Sequence, residues 1–290
     1  MACGHIEVMR GRRRRITSHC LHWRLVVLAF VVLAAAGTAR PAAAYDEATA
    51  ARLLQELADQ EPKVRERAAY ELGKLRPAQA AWVQRLIAAA DDVDPQVRRG
   101  AVWALGQVDA SQDQAVKKLL AVLASDVAPK NRIEAIQALG NLSDAAGDAV
   151  PALEAVARGG RGIHGVQPFL PTRRMLPLKF NVPIRSDAIR ALGKIGSEDA
   201  IGILAIVLIQ AEKELHGAGL SYYVLSAEAL ARIGRADSRI MPALQRGRRL
   251  PGTSPALQKA RVAADSALRQ IEAQEAKRTA SPSDQPASRP

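Results

Sequence analysis

Arginine recurs at one fixed place in this chain, eight residues before a glycine or the residue equivalent to it: Arg65, Arg98, Arg132, Arg185 and Arg261. A guanidinium offers five donors in a planar fork and stays charged at physiological pH. Such a row has two chemistries open to it. It can face an anionic partner, or each arginine can turn inward to an acid or a helix C-terminal carbonyl next door. Glu61, Glu66, Asp94 and Glu134 are nearby acids, and the inward reading is the expected one for the row as a whole. A second concentration of basic groups lies between Arg158 and Arg185, in RGGRGIHGVQPFLPTRRMLPLKFNVPIR. It holds Arg158, Arg161, Arg173, Arg174, Lys179 and Arg185, together with His164, and no acid. Binding an acidic protein segment or another anion is the chemistry this composition suits. The expected contacts are Arg161, His164, Arg173, Arg174, Lys179 and Arg185, joined by Arg132 on the adjoining helix face.

Catalytic chemistry has a poorer inventory. A nucleophilic mechanism needs a Ser or Thr with a base, but His164 and His216 lie in separate segments without triad spacing. No pair of acids sits in an apolar or aromatic context that would drive two carboxyl pKa values apart. The sequence G-x-x-x-x-G-K-[ST] is absent, and the glycines from Gly159 to Gly165 follow no strand pattern. The chain is therefore expected to be no enzyme and to carry no metal and no cofactor. Nucleic acid is not an expected partner either. Aromatics are only 3% of residues, which leaves few platforms for base stacking, and Trp82 and Trp103 fall at helix positions that look packed.

The positive balance of the chain, +12, has two separate sources. Arg10 and Arg12 to Arg15 form a basic start, Leu25 to Ala36 is an apolar run of twelve residues, and Ala42-Ala43-Ala44 precedes Tyr45. This is the three-part pattern of a secretory signal peptide, and the run is short of the roughly 20 residues a span needs. The expectation is cleavage after Ala44 and export, most simply to a bacterial periplasm, with an uncleaved N-terminal anchor as the alternative. Residues 1–44 hold seven Arg and one Glu, and both cysteines, Cys3 and Cys20. Residues 45–290 then carry +6, no thiol and two histidines. Cysteine catalysis and cysteine zinc sites are excluded there, and only a packed core can stabilise the fold. Arg158–Arg185 alone also carries +6, so the rest of residues 45–290 balances to zero.

What positions these groups is a repeat. VRERAAYELGKL (64–75), VRRGAVWALGQV (97–108), NRIEAIQALGNL (131–142), IRSDAIRALGKI (184–195) and YVLSAEALARI (223–233) share one register, with a fainter copy at 260–271. Their anchor leucines are Leu72, Leu105, Leu139, Leu192, Leu230 and Leu268, at spacings of 33, 34, 53, 38 and 38. Four residues before each leucine sits a small residue (Ala68, Ala101, Ala135, Ala188, Ser226, Ala264), and three after it an aliphatic one. Those offsets mark one face of a helix. Gly73, Gly106, Gly140 and Gly193 follow the leucine and read as close-packing positions rather than helix caps. Apolar stripes between the copies predict a second set of helices, and Ile201–Ile209, apolar on nearly all sides, predicts a buried one. The long spacing of 53 is an insertion at 158–183, whose four glycines and four prolines predict a non-helical loop. Its apolar residues, Phe169 and Phe180 among them, predict that it is ordered.

The pattern D-x-x-V-R-x-x-A-x-x-A-L-G-x-h resembles the short bacterial HEAT-like repeat, with Pro95-Gln96-Val97-Arg98 and Ala101–Val108 fitting closely. The resemblance covers about 50–275, interrupted at the insertion. It implies an all-α, right-handed α-solenoid of about six helix pairs. It is nearly silent on function, since the same repeat occurs in bilin lyases, a DNA glycosylase group, deoxyhypusine hydroxylases and many scaffolds. The hydroxylases carry His-Glu iron ligands, and this chain has no His-Glu dipeptide. The expected organisation is a signal peptide at 1–44, a repeat solenoid at 45–276 with the basic insertion at 158–183, and a disordered tail at 277–290. The expected function is an exported scaffold with a protein partner of acidic character. A lyase-like enzyme or enzyme subunit is the first alternative, and an anion or nucleic-acid binder the second.

Overall fold

The computed structural model describes residues 47–159, 178–214 and 217–280. The chain divides into two stretches, 1–44 and 45–290, and the first, which holds the expected signal peptide, lies outside the described residues. The second is built of helices: α1 (Glu47–Glu56), α2 (Pro62–Leu72), α3 (Ala80–Ala89), α4 (Pro95–Leu105), α5 (Gln112–Ser125), α6 (Pro129–Asn141), α7 (Val150–Ala157), α8 (Leu178–Ile195), α9 (Glu198–Lys213), α10 (Ala218–Ile233), α11 (Ile240–Gly247) and α12 (Pro255–Ala280). A short 3-10 helix, Ser143–Ala149, leads into α7. No strand occurs among the described residues. The helices form six pairs. The second helix of each pair (α2, α4, α6, α8, α10, α12) packs on the second helix of the next.

Local chemistry sets these boundaries. Pro62, Pro95 and Pro129 open α2, α4 and α6 at the first helical turn, where a missing N–H costs least. The residue before each proline is extended, as the ring demands. Asp94 caps α4 by accepting from the N–H groups of Gln96 and Val97, and Ser197 caps α9 from Ala200.

The core follows the repeat register. Ala68, Ala101, Ala135, Ala188, Ser226 and Ala264 are fully buried, and the six anchor leucines are at most 2% exposed. The glycines that follow them have right-handed or helical backbone, so close approach is the reason for them. A Cβ on Gly73 would lie 2.7 Å from Ala104 Cβ, and one on Gly106 2.5 Å from Ala138 Cα. One on Gly140 would lie 2.9 Å from Ala191 Cα, and one on Gly193 2.5 Å from Ala229 Cβ. The insertion separates α6 from α8 in sequence, yet their joint is only a few tenths of an ångström wider than the others. α9 buries Ile201, Ile203, Leu204, Val207 and Leu208, as its all-round apolar character requires. Among the described residues, no helix is long and apolar enough to cross a membrane.

Two expected boundaries are corrected. The insertion is not non-helical up to residue 183, because α8 begins at Leu178 and takes in Lys179 and Pro183. Leu178–Val182 contains no breaker, and Pro183 in the second turn costs the helix a single bond, to the carbonyl of Lys179. The tail is not irregular from residue 277, because α12 runs to Ala280. There Arg278 pairs with Glu275, Thr279 Oγ1 donates to the Glu275 carbonyl, and Lys277 and Arg278 suit the negative end of the helix dipole.

Candidate functional site

The arginine row begins as a closed ionic ladder. Its unit is D-x-x-P-x-x-R, present at 59–65, 92–98 and 126–132. Each aspartate makes a local turn: Oδ1 of Asp59, Asp92 and Asp126 accepts the N–H two residues on, each at 2.8 Å. Arg65 on α2 donates from Nε to Asp92 Oδ2 at 2.7 Å and from Nη2 to Asp92 Oδ1 at 2.9 Å. Arg98 on α4 does the same to Asp126, at 2.8 and 3.1 Å. The remaining nitrogen, Nη1, donates back to the loop that precedes its own helix: Asp59 and Gln60 carbonyls for Arg65, Asp92 and Val93 carbonyls for Arg98. Each arginine thus ties its own loop to the loop of the next pair. The Arg65 hydrogen bond holds the Asp92 carboxyl below the usual range. Burial pushes Asp126 up, but hydrogen bonds from Arg98, Ala128 N–H and Asn131 outweigh it and the net direction is down.

Beside the insertion the pattern changes. Arg132 on α6 is only 7% exposed, and its Nε donates to the Leu123 carbonyl at 3.0 Å. Burial lowers its pKa against the field of Asp126. It was expected on an open binding face. It is instead enclosed, because its helix offers the ladder position to the loop edge and not to solvent. Arg185 on α8 donates from Nε to the Ala157 carbonyl at 3.1 Å and lies over the Tyr222 ring, 4.1 Å from its centroid. In the fifth pair the ladder position is Tyr223, fully buried, whose hydroxyl donates to the Ala243 carbonyl at 3.4 Å while burial pushes its pKa up. Arg261 closes on the carbonyls of Leu250 and Gly252 at 2.8 and 2.7 Å. Of the other expected site residues, Lys179 is placed by its backbone in the first turn of α8. Arg161, His164, Arg173 and Arg174 lie outside the described residues, as does His216.

A second group of side chains escaped the sequence reading. Along the row of second helices, Tyr70 on α2 and Trp103 on α4 form a tilted ring pair with centroids 5.3 Å apart. Both are partly exposed, and only Trp82 of the two tryptophans expected to be packed is buried. Arg99 Nε donates to Tyr70 Oη at 3.3 Å, and its Nη2 lies 3.9 Å from Glu66. On α6 and α8, Gln137 donates to Asp187 at 3.3 Å, Arg190 donates to Asp187 at 2.9 Å, and Lys194 donates to Asn141 at 2.7 Å. Glu134 is half-buried between these groups. Burial raises its pKa, Arg99 lowers it and Asp187 raises it further. The signal was present in sequence at the position two before each anchor leucine, which reads Tyr70, Trp103, Gln137, Arg190 and Glu228. That column is polar or aromatic throughout, while its neighbours are mostly apolar, Glu71 being an exception.

Clefts are shallow. One of about 260 Å³ lies between consecutive loops and is lined by Asp91, Asp92, Arg98, Lys118, Asp126 and Val127, with Lys118 paired to Asp91. Another, of about 460 Å³, lies at the start of α9 beside Lys194, Arg232 and Arg235, where Arg235 pairs with Glu198. Among the described residues no three His, Cys, Asp or Glu side chains gather as metal ligands would.

Six stacked helix pairs with one shared packing register define an α-solenoid. Two family models agree with that class: HEAT repeats over residues 50–140, and the PBS lyase HEAT-like repeat over residues 184–210. The chain thus carries HEAT-like repeats over these residues. No curated protein is significantly similar to it in sequence. Similar solved structures include an engineered protein at 21% identity, covering 77% of this chain and 96% of that one, with a TM-score of 0.46. A designed armadillo repeat protein in complex with the peptide (KR)4 is 16% identical over 77% of this chain and all 100% of that one, with a TM-score of 0.45. The CpcE–CpcF complex of phycocyanin lyase from Nostoc sp. PCC7120 matches at 22% identity, covering 79% and 98%, with a TM-score of 0.40.

Proposed function

We propose that the chain is an exported, non-enzymatic scaffold that binds a protein partner along its row of second helices. The basic segment Arg158–Arg185, which runs into α8 of that row, is a further contact. The observation that carries this reading is the band from α2 to α8. It sets two partly exposed aromatic rings, Tyr70 and Trp103, among ion-paired side chains held in place by their neighbours. Large rings fixed by packing and rimmed by polar groups are the usual anchors of protein interfaces. The ladder on the loop edge, by contrast, spends its charges inside the fold.

Photo-crosslinking in an envelope extract tests the reading, comparing wild type with a Tyr70→Ala/Trp103→Ala double variant. Adducts specific to wild type are expected to disappear in the variant, and identical adducts from both would sink the assignment. Export predicts a mature N-terminus at Tyr45 by mass spectrometry.

A catalytic reading has one observation in its favour. Glu134 is a half-buried carboxyl whose pKa is raised by burial, the direction of shift a general acid needs. It requires an activity that Glu134→Gln abolishes while partner binding persists.

A further inference from the structure

The ladder lacks its acids on both sides of the insertion. Arg65 and Arg98 each give the Nε–Nη2 edge of the guanidinium to an aspartate 27 or 28 residues further on. The residues that would serve Arg132 in this way are Gly159 and Gly160, and Arg158–Arg185 contains no acid. The residue that would serve Arg185 is Glu212, which Arg246 already holds through Nε at 2.7 Å and Nη2 at 2.9 Å. Arg132 and Arg185 therefore occupy the same ladder position on directly packed helices, with no carboxylate partner among the described residues.

Arg185 is also preorganised. Its Nε is fixed by the Ala157 carbonyl and its plane by the buried Tyr222 ring, and Nη1 and Nη2 have no acceptor among the described residues. Gly159, held at φ +75°, lies against this edge, its Cβ position 3.4 Å from Cζ and Nη1, an ordinary contact distance. The charge pattern of the sequence selects the ligand. Residues 45–290 owe their whole balance of +6 to Arg158–Arg185, the segment that Arg185 closes, so an acidic chain is the complementary partner.

We propose that Arg185 is a carboxylate anchor for an acidic segment of a protein partner. A partner Asp or Glu takes the place that Asp92 and Asp126 fill for Arg65 and Arg98. This rests on the scaffold reading and names the chemistry of the partner.

The test is fluorescence anisotropy of a labelled octaglutamate peptide titrated with the full chain at low and moderate salt. Wild type is expected to bind, more weakly as salt rises. Arg185→Gln should weaken binding about tenfold, as loss of a charge-assisted fork does. Arg185→Lys should fall between the two, because it keeps the charge and loses the fork and the stack. Tyr222→Leu keeps an apolar support under the guanidinium and should weaken binding a few-fold, which guards against a folding defect in the Arg185 variants. Arg98→Gln should leave affinity unchanged, since Asp126 already occupies that guanidinium. The anchor is overturned if Arg185→Gln binds like wild type, or if Arg98→Gln weakens binding as much. Displacement of the peptide by micromolar inorganic phosphate would overturn the peptide assignment in favour of a phosphate site. If wild type fails to bind octaglutamate while the Tyr70→Ala/Trp103→Ala variant still loses its partners, the anchor is wrong and the scaffold reading survives.

Discussion

The loop edge of the first three helix pairs and the loop edge beside the insertion use the same arginine position in different ways. In the first region the aspartate does two jobs at once. Its Oδ1 shapes the local turn, and both oxygens accept the arginine of the preceding pair. In the second region the arginines remain and the acids do not, so Arg132 and Arg185 fall back on helix C-terminal carbonyls. The apolar joint is unaffected by this change. Gly140 meets Ala191 across the insertion about as closely as Gly106 meets Ala138 without one. The small-residue joint holds the stack, and the ionic stitch holds the loops.

That separation can be broken most forcefully at the joint. Gly106→Ala and Gly140→Ala each drive a methyl into a neighbouring backbone and should each cost about 3 kcal/mol, the upper part of the range for overpacking. Urea unfolding measures both. A much milder Gly140→Ala would show that the insertion loosens the joint after all. Next in size is the stitch. Asp126→Ala strands a half-buried Arg98 and removes the acceptor of Ala128 N–H and Asn131, which should cost about 2–3 kcal/mol. Arg132→Met, at the same position as Arg98 but with no carboxylate to lose, should change stability by less than about 1 kcal/mol, and in the stabilising direction. Equal losses at the two sites would erase the contrast between the regions.

Acid titration separates the same groups by sign. Asp92 and Asp126 have lowered pKa values in the fold. Their stabilisation is complete above the ordinary carboxylate range and is lost as pH falls through the lowered values. Glu134 is raised, so its charged form is a penalty at neutral pH that is relieved as pH falls through the raised value. Wild type should therefore firm slightly as pH falls toward the ordinary carboxylate range and weaken below about pH 4. Glu134→Gln should abolish the first change and leave the second, and Asp126→Asn should reduce the second and leave the first. Urea midpoints at three pH values decide it.

Much of the solenoid was legible because helix packing imposes a strict register. The −4, 0 and +3 offsets around Leu72, Leu105 and Leu139 are copied in every pair, and burial reproduces the first two throughout and the third except at Leu75 and Ile233, which are partly buried. The ladder was legible as arginines but its partners were not. Glu61, Glu66, Asp94 and Glu134 are close in sequence, whereas the true acceptors of Arg65 and Arg98 are one repeat further on, at Asp92 and Asp126. A motif read within one repeat cannot show a bond made between two, although D-x-x-P-x-x-R three times over contains the information. Tyr70 and Trp103 were missed for the opposite reason. Aromatic residues on a helix suggest core, and only the neighbouring helices show that this column stays partly open.

The smallest expected effect bears on the anchor at Arg185. Arg246 is 56% exposed in its side chain, so its pair with Glu212 is a surface ion pair. Arg246→Gln should change stability by no more than about 0.5 kcal/mol. It also frees a carboxylate at the ladder position that would serve Arg185. If Glu212 then turns to that guanidinium, octaglutamate affinity falls a few-fold with no change in the urea midpoint. If affinity stays the same, Glu212 does not reach, and Arg185 is open by geometry rather than by competition for its acid.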